Sequence, residues 1–441
     1  MSVIPQSVAY KESGIPWVGK IPEHWEVKRA KNIFKEMKRP VKESDEIITC
    51  FRDGVVTLRK NRRIEGFTNS LKEIGYQGIQ VDDLVIHSMD AFAGAIGVSD
   101  SNGKATPVYI VCTPYRSNLA YTKYYAFLLR KMASSDFILS LAKGIRERST
   151  DFRYSDFGDL RLPLPPIQEQ QAIANFLDKK THQIEEFITK KQKLITLLEE
   201  KKQTLINQCV TQGLDPSTSL KDSGVEWLGK IPTHWEIKKL KLLFGIGSGL
   251  GITKADFVSS GIPCVSYGEI HSKYPCRLDT KIHSLPYVSE DYLESKPQAL
   301  LKKGDFVFAD TSEDIEGSGN FTSVQSDEPV FAGYHTIVLK PKTQSIHSPY
   351  FSFLFDSLGI RNQVRKEVYG VKVYSITKSI LKEVQCLIPP LEEQKAIAEY
   401  LDTQIEKIDL AICKIKSQIN LIKEYKSTLI SEAVCGRTII N

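Results

Sequence analysis

The sequence predicts an α+β fold: two compact domains of mixed α/β character alternating with two long helices, in a pseudo-twofold repeat. Three observations carry this. KESGIPWVGKIPEHWEVKR (residues 11–29) returns as KDSGVEWLGKIPTHWEIKK (residues 221–239), displaced by 210 positions. PPIQEQQAIANFLDKKTHQIEEFI (165–188) returns as PPLEEQKAIAEYLDTQIEKIDLAI (389–412), displaced by 224, and TLINQCV (204–210) matches TLISEAV (428–434) at that same offset. The stretches between the repeated segments, of roughly 135 and 150 residues, show no such alignment. Two halves share a frame and differ in what it carries.

The elements follow in order. Each GKIPxHW segment predicts a fixed aromatic turn, with Trp17 and Trp25, then Trp227 and Trp235, packing near a domain entrance. Residues 83–88 and 107–112 in the first half, and 304–310 and 335–340 in the second, read as strands. One helix is expected in each half before its end, over 123–142 and 349–366. A diproline then bars helix, and from Gln168 no Gly or Pro occurs until Gly213. The run of about 45 residues makes a helix on the order of 65 Å long. Leu401, Ile408, Ile415, Ile422 and Leu429 recur every seven positions, with Ile405, Ile412 and Ile419 alongside. Leu177, Ile184, Leu198 and Leu205, flanked by Ile188 and Ile195, keep that register, broken by Thr181 and Lys191. A sustained heptad argues for a coiled coil. The two stripes bury most simply against each other; the alternative is that each packs on its own domain.

Composition narrows the function. Of 441 residues 41% are apolar, 25% charged and 9% aromatic, which excludes wholesale disorder. No apolar run approaches the ~20 residues of a membrane span. The first residues lack the pattern of a secretory signal, and the eight cysteines form no CxxC pair, so a cytoplasmic location is expected. Net charge is +6, and residues 1–165 hold all of it, with 25 basic against 19 acidic residues. That balance permits nucleic-acid binding.

Catalytic signatures are absent. The two GxxxxGK matches ending at Lys20 and Lys230 continue with Ile and Pro, where a phosphate loop needs Ser or Thr and free helix N–H groups. The histidines have no HxH or HExxH spacing, and no glycine-rich cofactor loop follows a strand. The adjacent acids Asp82-Asp83 and Glu392-Glu393 are expected in a solvated loop and a helix N-terminal turn.

Binding chemistry remains. Arg52, Arg59, Lys60, Arg62 and Arg63 put five cations within twelve positions. Arg suits paired bonds to guanine, and both cations neutralise phosphate; the alternative is a solvated hairpin. A second basic stretch holds Arg146, Arg148 and Arg153. His87-Ser88 precedes Gly94 and Gly97, glycines that suit either a close phosphate or a tight strand turn. In the neutral second half the candidates are Tyr267, Glu269, His271, Lys273, Thr311, Ser312, Tyr334, His335, Lys372, Tyr374 and Ser375.

With the repeats side by side, the chain resembles the specificity subunit of a type I restriction-modification enzyme along nearly its whole length. The segments at Gly19–Trp25 and Gly229–Trp235 resemble the lead-in to each target recognition domain. Those at 165–170 and 389–394 resemble the starts of the family's two helical regions. The resemblance implies two target recognition domains (1–163 and 214–387), each reading a separate DNA half-site. It implies an antiparallel spacer between them, made of the helical segments 164–213 and 388–441. It further implies two copies of a DNA-adenine methyltransferase subunit on the helices, then restriction subunits, in an antiviral defence complex. S-adenosylmethionine, ATP and Mg²⁺ belong to those partners, with no cofactor, metal or catalytic residue in this chain. Gln170, Phe176, Phe187, Gln394, Tyr400 and Tyr425 are the expected partner-binding residues. The alternative from another class is a coiled-coil scaffold whose two domains bind protein or RNA.

Overall fold

A computed structural model describes residues 9–62, 74–141, 151–225, 228–273, 276–368, 370, 373–438 and 440. The chain divides into two compact units, residues 1–192 with 416–441, and residues 193–415. The long helices, Ile167–Gln212 and Leu391–Val434, each contribute to both. The fold is α+β, with two mixed domains and two long helices.

In the first unit an antiparallel sheet is ordered Phe34–Glu36, Tyr109–Pro114, Leu84–His87, Ile96–Val98. Leu84, Val85 and Ile86 are all fully buried, as in a strand covered on both faces. One cover is the helix Thr122–Ser134, which buries Tyr124, Tyr125, Leu128, Leu129 and Met132 on a single face. Tyr125 meets Phe34 edge-on at 5.0 Å between ring centroids. The single helix expected over 123–142 breaks at Ser135 and Asp136, where Asp136 takes φ +56°, and resumes as Phe137–Leu141. Ser and Asp compete with the helix for backbone hydrogen bonds.

In the second unit the same antiparallel order recurs as Phe244–Ser248, Thr336–Pro341, Phe306–Ala309, Phe321–Val324. A fifth strand, Cys276–Leu278, adds in parallel at one edge. A separate four-stranded sheet is ordered Tyr287–Val288, Ile262–Val265, Val330–Ala332, Leu300–Leu301. The dissimilar stretches of sequence therefore build one core topology with different additions. Phe244, Phe306, Phe308, Phe321, Phe351 and Phe355 interlock in that core, mostly edge-to-face. The helix expected over 349–366 is two helices, Ser348–Asp356 and Leu358–Glu367, parted at Ser357.

Asp83 and Asp305 enter equivalent strands through the same turn, each accepting the N–H three residues back, from Gln80 at 2.7 Å and Lys302 at 2.9 Å. The expectation of a solvated Asp83 is corrected: it is buried and takes both arms of Arg39, at 2.5 and 3.0 Å. A cation with matched geometry offsets the cost of burying that charge.

The repeated motifs prove to be each other's partners. Glu26–Arg29, directly after Trp25, pairs antiparallel with Arg161–Leu164, the strand leading into Pro165-Pro166. Glu236–Lys239 pairs identically with Gln385–Ile388. Glu169 on the first helical turn then accepts Trp25 Nε1–H at 2.8 Å and lies 2.7 Å from His24 Nε2. Glu393 does the same for Trp235 and His234, both at 2.9 Å. Glu393, expected in the helix's N-terminal turn and found there, thus also locks a tryptophan. In the first unit Gly436, just past the second helix, takes φ +70° with Trp25 and Pro22 2.7 Å from where a Cβ would sit. In the second unit Gly213, at φ +78°, ends the first helix against Trp235. These are left-handed C′ glycines, and each abuts a Trp.

Each unit also shows the helices running antiparallel. In the first, Trp25 holds the start of one helix and the end of the other, while Lys426 pairs with Glu185 farther along. In the second, Lys202 Nζ meets both oxygens of Asp409 at 2.8 Å, and Gly213 lies against Glu393. The heptad residues Leu177, Ile184, Ile188, Leu401, Ile408, Ile412, Ile415, Ile419 and Leu429 are buried, and Ile195, Leu198, Leu205, Ile405 and Ile422 half-buried.

Candidate nucleic-acid interface

In the first unit the cations lie around a tight hairpin, Ile48–Cys50 paired with Val56–Leu58. Its turn is seated on Gly94 and Gly97: a Cβ on Gly97 would fall 2.0 Å from Gly54 O, and one on Gly94 2.7 Å from Arg52 O. At both glycines the backbone of the hairpin turn packs closer than any side chain would allow. Arg130, mostly buried, lies beneath Gly54, with its guanidinium 2.6 Å from where a Cβ would sit.

Each described cation of this hairpin has a partner. Arg52 Nη2 bonds Asp90 Oδ1 at 2.9 Å, and Arg59 Nε donates to Thr49 Oγ1 at 3.2 Å. Lys60 pairs with Glu46, at 2.5 and 2.7 Å to its two oxygens. Arg62 grips Asp53 with both terminal nitrogens and lies over Phe51, 4.4 Å from the ring centroid. The Arg62 contact holds the Asp53 carboxyl below its ordinary pKa, so it is ionised at neutral pH. His87 ends its strand at the same place: its Nδ1 accepts Asp90 N–H at 3.1 Å, and burial lowers its pKa. Ser88 O accepts Phe152 N–H at 3.2 Å, which brings Arg153, paired with Asp151 at 2.5 Å, alongside. Arg63, Arg146 and Arg148 lie outside the described residues.

In the second unit candidates scattered in sequence gather around one groove of about 850 Å³, lined by Tyr267, His271, Thr311, Ser312, Asn320 and His335 with the acids Glu313, Asp314 and Glu316. Thr311–Ser312 pairs antiparallel with Tyr374–Ser375, so those four candidates share one ribbon beside it. Tyr267, Tyr334 and His335 form an edge-to-face cluster, with centroids 5.4 to 5.9 Å apart. His271 donates from Nε2 to Thr311 O at 2.7 Å and accepts Asn320 Nδ2–H on Nδ1 at 2.9 Å, which assigns the neutral tautomer. Behind it Arg361 bonds Asn320 Oδ1 at 2.9 Å and Asp356 at 2.8 Å. Two candidates stand apart: Glu269 caps its own helix by accepting Ser266 N–H at 3.2 Å, and Lys273 is exposed past its end. Lys372 lies outside the described residues.

Among the expected partner-binding residues, Gln170 and Gln394 are corrected. Both are buried with the whole amide engaged: Gln170 accepts Tyr121 N–H at 2.8 Å and donates to Pro165 O and Leu119 O, and Gln394 repeats this with His347, Pro389 and Ser345. They fasten each helix start to its domain. Phe187, Tyr400 and Tyr425 are exposed and Phe176 half-buried. Among the described residues, no group of three or more His, Cys, Asp or Glu could hold a metal ion. No described helix is long and apolar enough to cross a membrane.

Residues 232–421 match the family model described as the type I restriction modification DNA specificity domain. The chain is 27% identical to the type I restriction enzyme MjaVIII specificity subunit of Methanocaldococcus jannaschii over 422 residues, covering 92% of this chain and 91% of that one. It is 20% identical to the EcoKI specificity subunit of Escherichia coli over 446 residues, covering 94% and 91%. Among solved structures, a chain from work on complex assembly and conformational transition of the type I R-M system superposes with a TM-score of 0.70 at 15% identity, over 95% of this chain and 99% of that one. The HsdS subunit from Thermoanaerobacter tengcongensis superposes with a TM-score of 0.54 at 16% identity, over 95% and 98%. Residues 232–421 thus match the type I restriction modification DNA specificity domain, and along nearly its whole length the chain is similar to specificity subunits of type I restriction-modification systems.

Proposed function

We propose that the chain reads a bipartite, non-palindromic DNA target, with residues 1–163 addressing one half-site and 214–387 the other. The helical segments 164–213 and 388–441 act as the spacer. The observation that carries this is the pairing of identical locks with unlike readers. Trp25–Glu169 and Trp235–Glu393 repeat the frame, while the first domain offers a cationic hairpin and the second a polar and aromatic groove. A dimeric reader sets its modules about one helical turn, ~34 Å, apart on the duplex. One duplicated frame with two different domains gives each of two unlike half-sites its own reader.

The chemistry belongs to partner chains: two adenine methyltransferase subunits using S-adenosylmethionine, and restriction subunits using ATP and Mg²⁺. Phe187, Tyr400 and Tyr425, exposed on the long helices, are apolar surface for them, with Phe176 at the margin. The test is a binding selection from random duplexes, using the chain assembled with its methyltransferase. Two different blocks of defined bases at a constant separation support the reading. Recovery of no motif, or of identical inverted halves, contradicts it.

A further inference from the structure

The carboxylates beside the hairpin cations need an explanation. Exposed ion pairs contribute little to stability, so stability does not account for acids on the face proposed to meet DNA. Their geometry is directional. Arg62 is gripped by both oxygens of Asp53 and lies on Phe51, which fixes the plane of its guanidinium. Arg52 is held by Asp90, which also donates its N–H to the mostly buried His87. The ground beneath is firm, since Gly94 and Gly97 take the turn's backbone at van der Waals contact and Arg130 lies under Gly54.

We propose that Asp53 and Asp90 determine specificity by positioning Arg62 and Arg52 so that their remaining N–H edges address guanine in preference to phosphate. This rests on the reading that the hairpin faces DNA. A guanidinium has five N–H donors, and Asp53 occupies two of Arg62's. Guanine O6 and N7 are neutral acceptors that take a bidentate donor without repelling the carboxylate behind it. A phosphate is an anion, and its attraction to Arg62 is offset by repulsion from Asp53 at nearly the same distance. The acids therefore weaken interactions that every sequence offers and spare the one that only the correct base offers. Non-specific binding is almost wholly electrostatic, so this is where discrimination is gained.

The experiment uses the full chain assembled with its methyltransferase partner. Affinities are measured across a salt series for the selected target, for the target altered at each first-half position, and for an unrelated duplex. Asp53→Asn and Asp90→Asn keep side-chain shape, and thermal melts confirm folding. Asp53→Asn is expected to tighten binding to the unrelated duplex several-fold, to steepen its salt slope by about 0.9, and to cut discrimination at one G·C position about tenfold. Glu43→Gln, an equal loss of charge at an exposed position, is expected to leave that discrimination unchanged. Unchanged discrimination in both Asn variants overturns the proposal. So does an equal loss in Glu43→Gln, which reduces the effect to net charge. Arg62→Ala separates the two levels. If it alters neither salt slope nor base preference, the hairpin does not face DNA and the parent reading fails there. If it alters both while Asp53→Asn alters neither, only the positioning role fails.

Discussion

The Trp25 indole N–H donates to a Glu169 carboxylate oxygen at 2.8 Å, and Trp235 repeats the bond to Glu393 at 2.9 Å. Both tryptophans are almost fully buried, at 0% and 1% exposure. Glu169→Ala leaves a buried donor without its partner, so it should destabilise the first unit by about 1–3 kcal/mol. Glu169→Gln, which keeps an acceptor, should cost less. Chemical denaturation of each variant checks this, and equal midpoints for Ala and Gln would show that the bond is not what holds the indole.

Gly436→Ala places a Cβ 2.7 Å from Trp25 and Pro22 at φ +70°. It should cost more than the ~1 kcal/mol of a left-handed residue alone, because Trp25 is also held by Glu169 and cannot retreat. Gly213→Ala, with its nearest atom 3.4 Å away, should cost only about that conformational penalty. The difference between the two, read from thermal melts, checks the packing of each lock.

Replacing Arg59, Lys60 and Arg62 together with Ala should weaken DNA binding and flatten its salt dependence by about 0.9 for each phosphate no longer neutralised. Because Lys60 and Arg62 already pair with Glu46 and Asp53, the flattening should be smaller than three free cations would give. A salt slope unchanged from the parent chain shows that the hairpin points elsewhere.

Tyr267→Ala and His335→Ala, at the mouth of the second groove, should change base preference in one half-site and leave the other untouched. A repeat of the binding selection reads this out. A change spread over both halves contradicts one reader per half-site.

Adding seven residues, about two helical turns, between Leu194 and Leu205 should change the preferred spacer and neither half-site. Selection for an unchanged spacer contradicts the helices as a ruler.

Much of this architecture was legible because it rests on repetition and periodicity. The heptad through Leu401, Ile408 and Ile415 marks a buried seam whatever surrounds it, and a diproline followed by more than forty residues without Gly or Pro marks a long helix. What the repeats did not disclose is that they bind each other. Glu169 and Trp25 are 144 residues apart, and only strand pairing between 26–29 and 161–164 brings them together. Gln170 was expected to bind a partner subunit, yet it is buried, because the backbone of Leu119 and Tyr121 needs a donor and an acceptor there. The cations at 52–62 were visible as charge, whereas the pairing with their carboxylates is set by the fold: Asp53 lies in the hairpin's own turn, Glu46 just before its first strand and Asp90 in another strand connection. The second groove draws on four separate stretches, which no local pattern links. A common sheet order in the two domains also escaped sequence alignment, since burial constrains apolar character far more than residue identity.

The most direct test of two unlike readers on one duplicated frame is methylome sequencing of a host that carries this chain with its cognate methyltransferase. Methylated adenines are expected within a single motif of two different half-sites, separated by a constant run of unspecified bases. Methylation at an uninterrupted or palindromic motif, or none that depends on this chain, would contradict it.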